Sequence, residues 1–266
     1  MLKKKSGLSE ATLGKIYIFI SVAILVSFAG IFFWGRQPKP APETGCVGKP
    51  SGSTSIIIDV SEKFSQQTAD TISQRIDLIL KEVVKPNELV SIYYIGGKSA
   101  TELKDELNKC RPKSLDQKSW NDANKKLNKQ FSGFMQAVDA SGAKARVVKN
   151  DESSPIVQTI MDVKKKHQYT GLNGNSKRVV IFSDLWENSG TFSMYSCVDY
   201  QEIKQKYLAR WVQDSPLSGY EVYVGRVPRE NYSENLKKCR NQFWVWFLNG
   251  AKPIQGFNNI LDELPG

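Results

Sequence analysis

Hydrophobic residues are arranged in two different ways along this chain. Residues 16–34 form one uninterrupted apolar run, with no charged residue between Lys15 and Arg36. A helix of this length, at about 1.5 Å per residue, matches the ~30 Å hydrocarbon core of a bilayer. Beyond residue 53, apolar residues recur instead in short periodic segments. The pattern predicts one transmembrane helix over 16–34, followed by a globular domain.

The flanks of the apolar run decide between an anchor and a cleaved signal peptide. The basic residues 3–5 and the small pair at 29–30 are features of a signal peptide. The run continues past that pair to Trp34, which favours a retained helix in contact with membrane lipid. Lysines are denser before the run than after it, where only Arg36 and Lys39 stand nearby. We therefore expect residues 1–15 in the cytoplasm, and the rest on the periplasmic or extracellular side of the inner (plasma) membrane.

Residues 35–53 are rich in proline, glycine and serine, which predicts a tether. After it, runs rich in β-branched and aromatic residues alternate with helical patterns. The predicted strands cover 54–60, 89–95, 178–183 and 220–224, and the helical patterns cover 72–83, 120–138, 155–163, 203–212 and 236–247. This alternation is typical of parallel strands joined by crossovers. We expect a doubly wound α/β domain over 54–266, with a mainly parallel sheet and a helical insertion at about 97–149.

The cysteines all follow the apolar run. They are Cys46, Cys110, Cys197 and Cys239. An even number suits two disulfides in an oxidising compartment, although three pairings are open and free thiols in a cytosolic domain are the alternative. The spacing matches no zinc pattern, because no CxxC occurs and the chain has a single histidine, His167. That histidine follows a lysine run at a helix end, so we expect it to be exposed to solvent.

The net charge of +10 makes the chain basic. Basic surfaces attract nucleic acid, anionic lipid or acidic polymers. The lysines occur in short scattered runs, such as 125–126 and 164–166, which are more typical of a solvated face. The scattered distribution of the lysines therefore disfavours nucleic acid as a partner. The net charge still leaves a basic binder of nucleic acid or cell-wall polymer as an alternative function.

Polar side chains follow two of the predicted strands. The first strand ends in Asp59-Val-Ser61 and the third in Ser183-Asp184. The carboxyl ends of parallel strands line one crevice, and their oxygens are ligands of the kind that Mg²⁺ or Ca²⁺ prefers. Asp59 and Ser61 match the start of an Asp-x-Ser-x-Ser motif, and Ser154-Pro155 is similar to a Thr-Pro helix start. In these motifs the chain resembles the von Willebrand factor A-type domain, of the membrane-anchored bacterial type, and its metal-ion-dependent adhesion site.

The resemblance implies a von Willebrand A-like fold and a degenerate metal site formed by Asp59, Ser61, Ser154 and Asp184, with Mg²⁺ as the candidate ion. Two residues depart from the family motif. Lys63 replaces the second motif serine, and Leu185 stands where a glycine usually follows the last aspartate. An ammonium near the site repels a divalent cation and can neutralise the carboxylates in its place. In the alternative interpretation, the two aspartates bond to loop amides and cap helices.

These observations predict a non-catalytic, membrane-tethered module that binds or scaffolds another protein of a cell-envelope complex. No Ser/His/Asp arrangement or zinc-ligand cluster is recognisable in the sequence, which disfavours an enzyme. If a metal binds, the resemblance implies that a carboxylate of the partner completes its coordination. The competing hypothesis is a Mg-dependent hydrolase that uses Asp59 and Asp184 to hold the ion near a phosphate.

Overall fold

The computed structural model describes residues 10–34, 40–61, 63–96, 105–120, 122–145, 153–169, 176–190, 192–196, 205, 216–229 and 232–265. It divides into two compact units, Met1–Lys39 and Pro40–Gly266. The predicted helix over 203–212 lies outside the described residues except for position 205.

The first unit contains a single described helix, α1 (Glu10–Trp34). Its segment Gly14–Ile31 has a mean hydropathy of 2.0, and none of its residues is buried. Within the described residues it is the one helix long and apolar enough to cross a bilayer, although a signal sequence shares these properties. The helix begins before residue 16, where the sequence predicts its start.

The second unit is built on a mostly parallel sheet. Its described strands are β1 (Gly52–Asp59), β2 (Leu89–Ile95), β3 (Asp105–Cys110), β4 (Ser176–Ser183), β5 (Glu221–Arg226), β6 (Lys252–Pro253) and β7 (Leu261–Glu263). Their order is β3-β2-β1-β4-β5-β6, with β7 also paired to β5. Only the pairing of β3 with β2 is antiparallel among these strands. The α/β class and the mainly parallel sheet are thus confirmed.

Helices cover both faces of this sheet. They are α2 (Gln66–Leu78) with a π-helical continuation (Ile79–Val83), α3 (Asn124–Ala145), α4 (Ile156–Tyr169) and α5 (Glu234–Phe247). Alternate residues of β1 point to opposite faces, because the side-chain period of a strand is two. Ile57 packs in one apolar layer with residues of α4 and α5, whereas Ile56 and Ile58 pack in the other with residues of α2 and α3. Burial on both faces explains why β1 and β4 have near-continuous apolar sequences.

Two features of the second unit differ from the sequence prediction. The region 97–149 contains α3 but also the edge strand β3, whose polar sequence gives little indication of a strand. The compact unit begins at Pro40, whereas the sequence predicts a tether as far as residue 53. Cys46 is buried and joined to Cys110 by a disulfide, and the amide of Cys110 donates to the carbonyl oxygen of Thr44 at 2.7 Å. A covalent bond and sheet-like hydrogen bonds therefore hold a segment whose composition predicts only a linker.

The expected exposure of His167 is wrong. Its side chain is only 3% exposed. Its Nε2 lies 3.0 Å from the hydroxyl of Ser53 and 2.9 Å from that of Ser55, and its ring stacks on Tyr220. The last turn of α4 packs over the first residues of β1, so a histidine that follows a lysine run is still directed inward.

Candidate functional site

The crevice at the carboxyl ends of β1 and β4 is organised by Asp59. This residue is 3% exposed and is the last of β1. Its Oδ1 accepts a hydrogen bond from the amide of Ser61 at 3.1 Å. Its Oδ2 accepts from the hydroxyls of Ser154 and Ser183, each at 2.8 Å. One buried carboxylate therefore joins the ends of β1 and β4 to the segment that precedes α4.

Ser154 reaches Asp59 because backbone hydrogen bonds fix the entry to α4. The amide of Ser154 donates to the carbonyl oxygen of Asn188 at 2.6 Å, and the amide of Asn188 donates back at 3.0 Å. Nearby, Oε2 of Glu187 accepts from the amide of Val157 in the first turn of α4 at 2.8 Å. Burial raises the pKa of the Glu187 carboxyl to about 8. The loop after β4 and the start of α4 thus form one connected polar structure behind Asp59.

Asp184 lies on the other side of the crevice, immediately after β4. Its Oδ1 accepts from the amide of Trp186 at 2.9 Å, and its Oδ2 is 2.8 Å from Nε of Arg229. Burial, followed by the charge of Asp59, raises the pKa of the Asp184 carboxyl to about 7. The hydrogen bond from the Trp186 amide, followed by the positive charge of Arg240, lowers this pKa, because both favour the carboxylate.

The backbone after Asp184 has the conformation that glycine favours. Leu185 has a φ of 64°, in the left-handed region, and its side chain is buried. Only glycine adopts this region without a steric cost at Cβ. The chain therefore keeps the turn at the position where the resemblance implies glycine, and it does so with a leucine that fills the core.

The carboxylates and two cationic side chains share a small cavity of about 90 Å³. Its lining consists of Asp59, Ser61, Lys63, Phe64, Asp184, Val227, Pro228 and Arg229. Lys63 is exposed, whereas the side chains of Arg229 and Asp184 are 14% and 11% exposed. The predicted departure from the motif, Lys63, thus lines the cavity, but it is Arg229 that forms the ion pair with Asp184.

Arg229 is the principal residue of the crevice that the sequence does not indicate. It follows β5, whose last residue, Arg226, pairs with Ser183 of β4. The amide of Val227 continues this pairing with a 3.0 Å hydrogen bond to the carbonyl oxygen of Ser183. The strand register therefore carries the loop after β5 across the end of β4. No local motif marks Arg229, and only the β4 to β5 pairing would have identified it.

An aromatic cluster holds Arg229 from the side away from Asp184. Nη1 of Arg229 donates to the hydroxyls of Tyr195 and Tyr232 at 3.0 and 2.9 Å. The rings of Tyr195 and Tyr232 lie against each other and against Trp186. Arg240 lies over the face of Trp186 and donates to the carbonyl oxygen of Asp184 at 3.1 Å. Both arginines are thus fixed by aromatic side chains and by the loop that carries Asp184.

The four residues predicted as metal ligands, Asp59, Ser61, Ser154 and Asp184, lie around this crevice, but their surroundings do not suit a divalent cation. The carboxylate of Asp59 is engaged by two hydroxyl donors and an amide, and that of Asp184 is paired with a guanidinium. Among the residues that the structure describes, no group of three His, Cys, Asp or Glu side chains could hold a metal ion. Binding of Mg²⁺ at these residues stays a prediction, and the charge of Arg229 opposes it.

The structure establishes the pairing of two of the four cysteines. Cys46 and Cys110 form a disulfide, which removes two of the three pairings that the sequence leaves open. Cys239 is also bonded in a disulfide. Cys197 lies outside the described residues, so its part in a second bond stays a prediction.

No known family model matches the chain, and no curated protein matches it. Among solved structures, the chain is similar to that described as the crystal structure of manganese-loaded Plasmodium vivax TRAP protein, with 10% sequence identity and a TM-score of 0.39. The match covers 82% of this chain and 69% of the other.

Proposed function

We propose that this chain is a non-catalytic binding module of the cell envelope, anchored by residues 16–34 with residues 1–15 in the cytoplasm. The domain beyond the anchor lies on the non-cytoplasmic side. There it binds another envelope protein through the crevice formed by Asp59, Asp184, Lys63 and Arg229. The proposal rests chiefly on the convergence of these charged side chains at the carboxyl edge of the sheet, where open α/β sheets bind their ligands.

The compartment is supported by two independent features. One is α1, which has the length and hydropathy of a membrane span. The other is the disulfide between Cys46 and Cys110, because such bonds persist in oxidising compartments and are rare in the cytosol. The disulfide joins Cys46 to the end of β3, so an oxidised bond is part of the domain itself.

The crevice favours binding over the hydrolytic alternative. The hydroxyls of Ser154 and Ser183 both donate to Asp59, which fixes them as structural donors. A magnesium-dependent hydrolase needs carboxylate oxygens open to the ion, whereas Oδ2 of Asp184 is engaged by Arg229. The lining also mixes acids and bases, which suits a polar protein surface better than a uniformly anionic polymer.

Site-specific crosslinking in intact cells tests the partner-binding role. A photoreactive amino acid at Val227, on the crevice lining, is expected to crosslink to one discrete envelope protein. The control position is Ser218, which is exposed in the turn before β5 and so lies at the amino end of that strand, away from the crevice at the carboxyl ends. Equal crosslinking from both positions, or none from Val227, would refute a binding role for the crevice.

The orientation needs its own test. Trp120 is 92% exposed, so a Trp120→Cys variant presents a thiol without disturbing the core. A membrane-impermeant maleimide is expected to label this variant in intact cells as fully as in permeabilised ones. Labelling only after permeabilisation would place the domain in the cytoplasm and overturn the proposed compartment.

A further inference from the structure

The side chain of Arg229 lies near the surface, yet an ion pair, two hydrogen bonds and an aromatic ring fix its position. Nε contacts Oδ2 of Asp184 at 2.8 Å, and Nη1 donates to two tyrosine hydroxyls at 3.0 and 2.9 Å. Its carbon Cζ also lies 5.8 Å from the centre of the Tyr232 ring. A planar guanidinium suits such a set because its donors point in fixed directions. An exposed ion pair between mobile side chains would not have this geometry.

We propose that Arg229 is a built-in cation that takes the place of a divalent metal in this crevice. Its charge neutralises Asp184, and with Lys63 the lining holds two basic side chains against the two acidic ones. The crevice then binds the mixed-charge polar surface of its partner protein without any metal ion. This inference concerns the crevice of the proposed function, and its part about the partner rests on that function.

The charges around the cavity explain why the arginine and the ion exclude each other. Asp59 and Asp184 are the two acidic residues of the lining, and Lys63 and Arg229 are the two basic ones. A divalent cation would face two positive side chains within a cavity of about 90 Å³. In a partly buried site, such repulsion is screened far less than at the surface. Removal of both cations would leave two carboxylates and the Ser61 hydroxyl with no opposing positive charge in the lining. The three donors on Asp59 leave its carboxylate one lone pair for an ion, and these oxygens are suitable ligands for Mg²⁺.

Thermal unfolding of the full detergent-solubilised chain, with and without Mg²⁺, tests the exclusion of metal. The midpoint of the wild-type chain is expected to be unaffected by the ion. The double variant Lys63→Ser/Arg229→Gln, which restores the motif serine and removes the guanidinium charge, is expected to gain roughly 5 °C at saturating Mg²⁺. A further Asp59→Asn substitution is expected to abolish that gain.

Matched variants test whether a gain in the presence of Mg²⁺ comes from the loss of any positive charge or from a change in folding. Arg226→Gln removes the same charge at the end of β5 and breaks an ion pair with Glu263 instead of the one with Asp184. It is expected to gain nothing from Mg²⁺. Far-ultraviolet circular dichroism before heating shows whether each variant is folded, and Arg229→Lys provides a variant that keeps the charge and should stay insensitive to the ion. A wild-type midpoint raised by Mg²⁺, or no gain in the folded double variant, would overturn the proposal.

The partner is tested separately by crosslinking from Val227 in washed membranes. The wild-type crosslink is expected to persist in a chelator of divalent cations and to fall at least several-fold in Arg229→Gln. Loss of the wild-type crosslink on chelation would overturn the metal-independent mode of binding. Absence of any crosslink in every condition would refute the proposed function instead, while the Mg²⁺ measurement would still decide whether Arg229 excludes the ion.

Discussion

The indole Nε1 of Trp244 donates a 2.8 Å hydrogen bond to the carbonyl oxygen of Leu185. This bond joins the last turn of α5 to the turn that follows Asp184, and both residues are buried. A buried carbonyl without a partner is costly, so the tryptophan stabilises a turn whose backbone is itself unfavourable for leucine. The aromatic sequence of α5 thus has a definite role in holding the edge of the crevice.

Substitutions of Leu185 are expected to rank in an unusual order. Leu185→Ala removes a buried side chain and keeps a residue with Cβ at a φ of 64°, so it should cost about 3 kcal/mol or more. Leu185→Gly loses the same packing but relieves roughly 1 kcal/mol of backbone strain. The glycine variant should therefore be at least as stable as the alanine variant in denaturant unfolding.

A control pair at Ile181 should show the opposite order. Ile181 is fully buried within β4, where the backbone is extended and glycine has no conformational advantage. There, glycine is expected to be less stable than alanine by about 0.5–1 kcal/mol. If glycine were also the worse residue at position 185, Leu185 would carry no conformational strain.

The strand ends were the part of the site that the sequence could indicate. Asp59 and Asp184 each follow an apolar strand, and the rule that parallel strands end at one edge is enough to expect them in one crevice. Arg229 could not be found in this way, because its position depends on the loop after β5 crossing over the end of β4. Lys63 was recognised only because it interrupts a motif.

Segments without a periodic apolar pattern were the least predictable part of the fold. The strand β3 lies at the end of the sheet, and in it Leu107 and Cys110 are buried whereas Glu106 and Lys109 are exposed. So few apolar residues do not form a periodic pattern that the sequence alone could reveal. The segment 40–51 is held by a disulfide and by hydrogen bonds such as that from the amide of Val47 to Oδ1 of Asn87. Linker composition describes local flexibility and contains no information about such long-range bonds. The exposure of His167 was predicted wrongly for a similar reason, because its burial depends on contacts with Ser53 and Ser55 of β1, which are distant in the sequence.

A buried ion pair at the amino ends of the strands gives a second prediction. Nη1 of Arg178 contacts both carboxylate oxygens of Glu88, at 2.7 and 2.8 Å, and both side chains are almost completely buried. Arg178→Met leaves the charge of Glu88 without its partner and should cost about 3–5 kcal/mol. The double variant Glu88→Gln/Arg178→Met removes both charges and should be clearly more stable than the single one in denaturant unfolding. Equal stability of the two variants would mean that the isolated Glu88 charge is not the source of the loss.

His167 predicts a dependence of stability on pH. Burial, with smaller contributions from Lys177 and Lys166, lowers the pKa of its imidazole from 6.5 to about 4. Between these values the unfolded chain binds a proton that the folded chain does not, so stability is lost as the pH falls from about 6.5 towards 4. The full loss is on the order of 3 kcal/mol at about 1.4 kcal/mol per pH unit.

The variant His167→Asn isolates this effect, because every other titratable group is shared with the wild type. The free energy of unfolding is measured at about pH 7 and about pH 4.5 for both proteins, and the wild type should lose more stability between the two. Parallel curves for the two proteins would show that His167 has an ordinary pKa.

The disulfide between Cys46 and Cys110 yields the last prediction. It closes a loop with a sequence separation of 64 residues. In the chain-entropy model, a loop of this size contributes about 4 kcal/mol to stability. The double variant Cys46→Ser/Cys110→Ser should lose approximately this amount in denaturant unfolding. The bond also fixes the first residues of the domain. In the double variant, a broad-specificity protease is therefore expected to cut within 40–51 before the sheet unfolds. Unchanged protection of that segment in the variant would show that hydrogen bonds alone, such as those to Asn87, hold it against the domain.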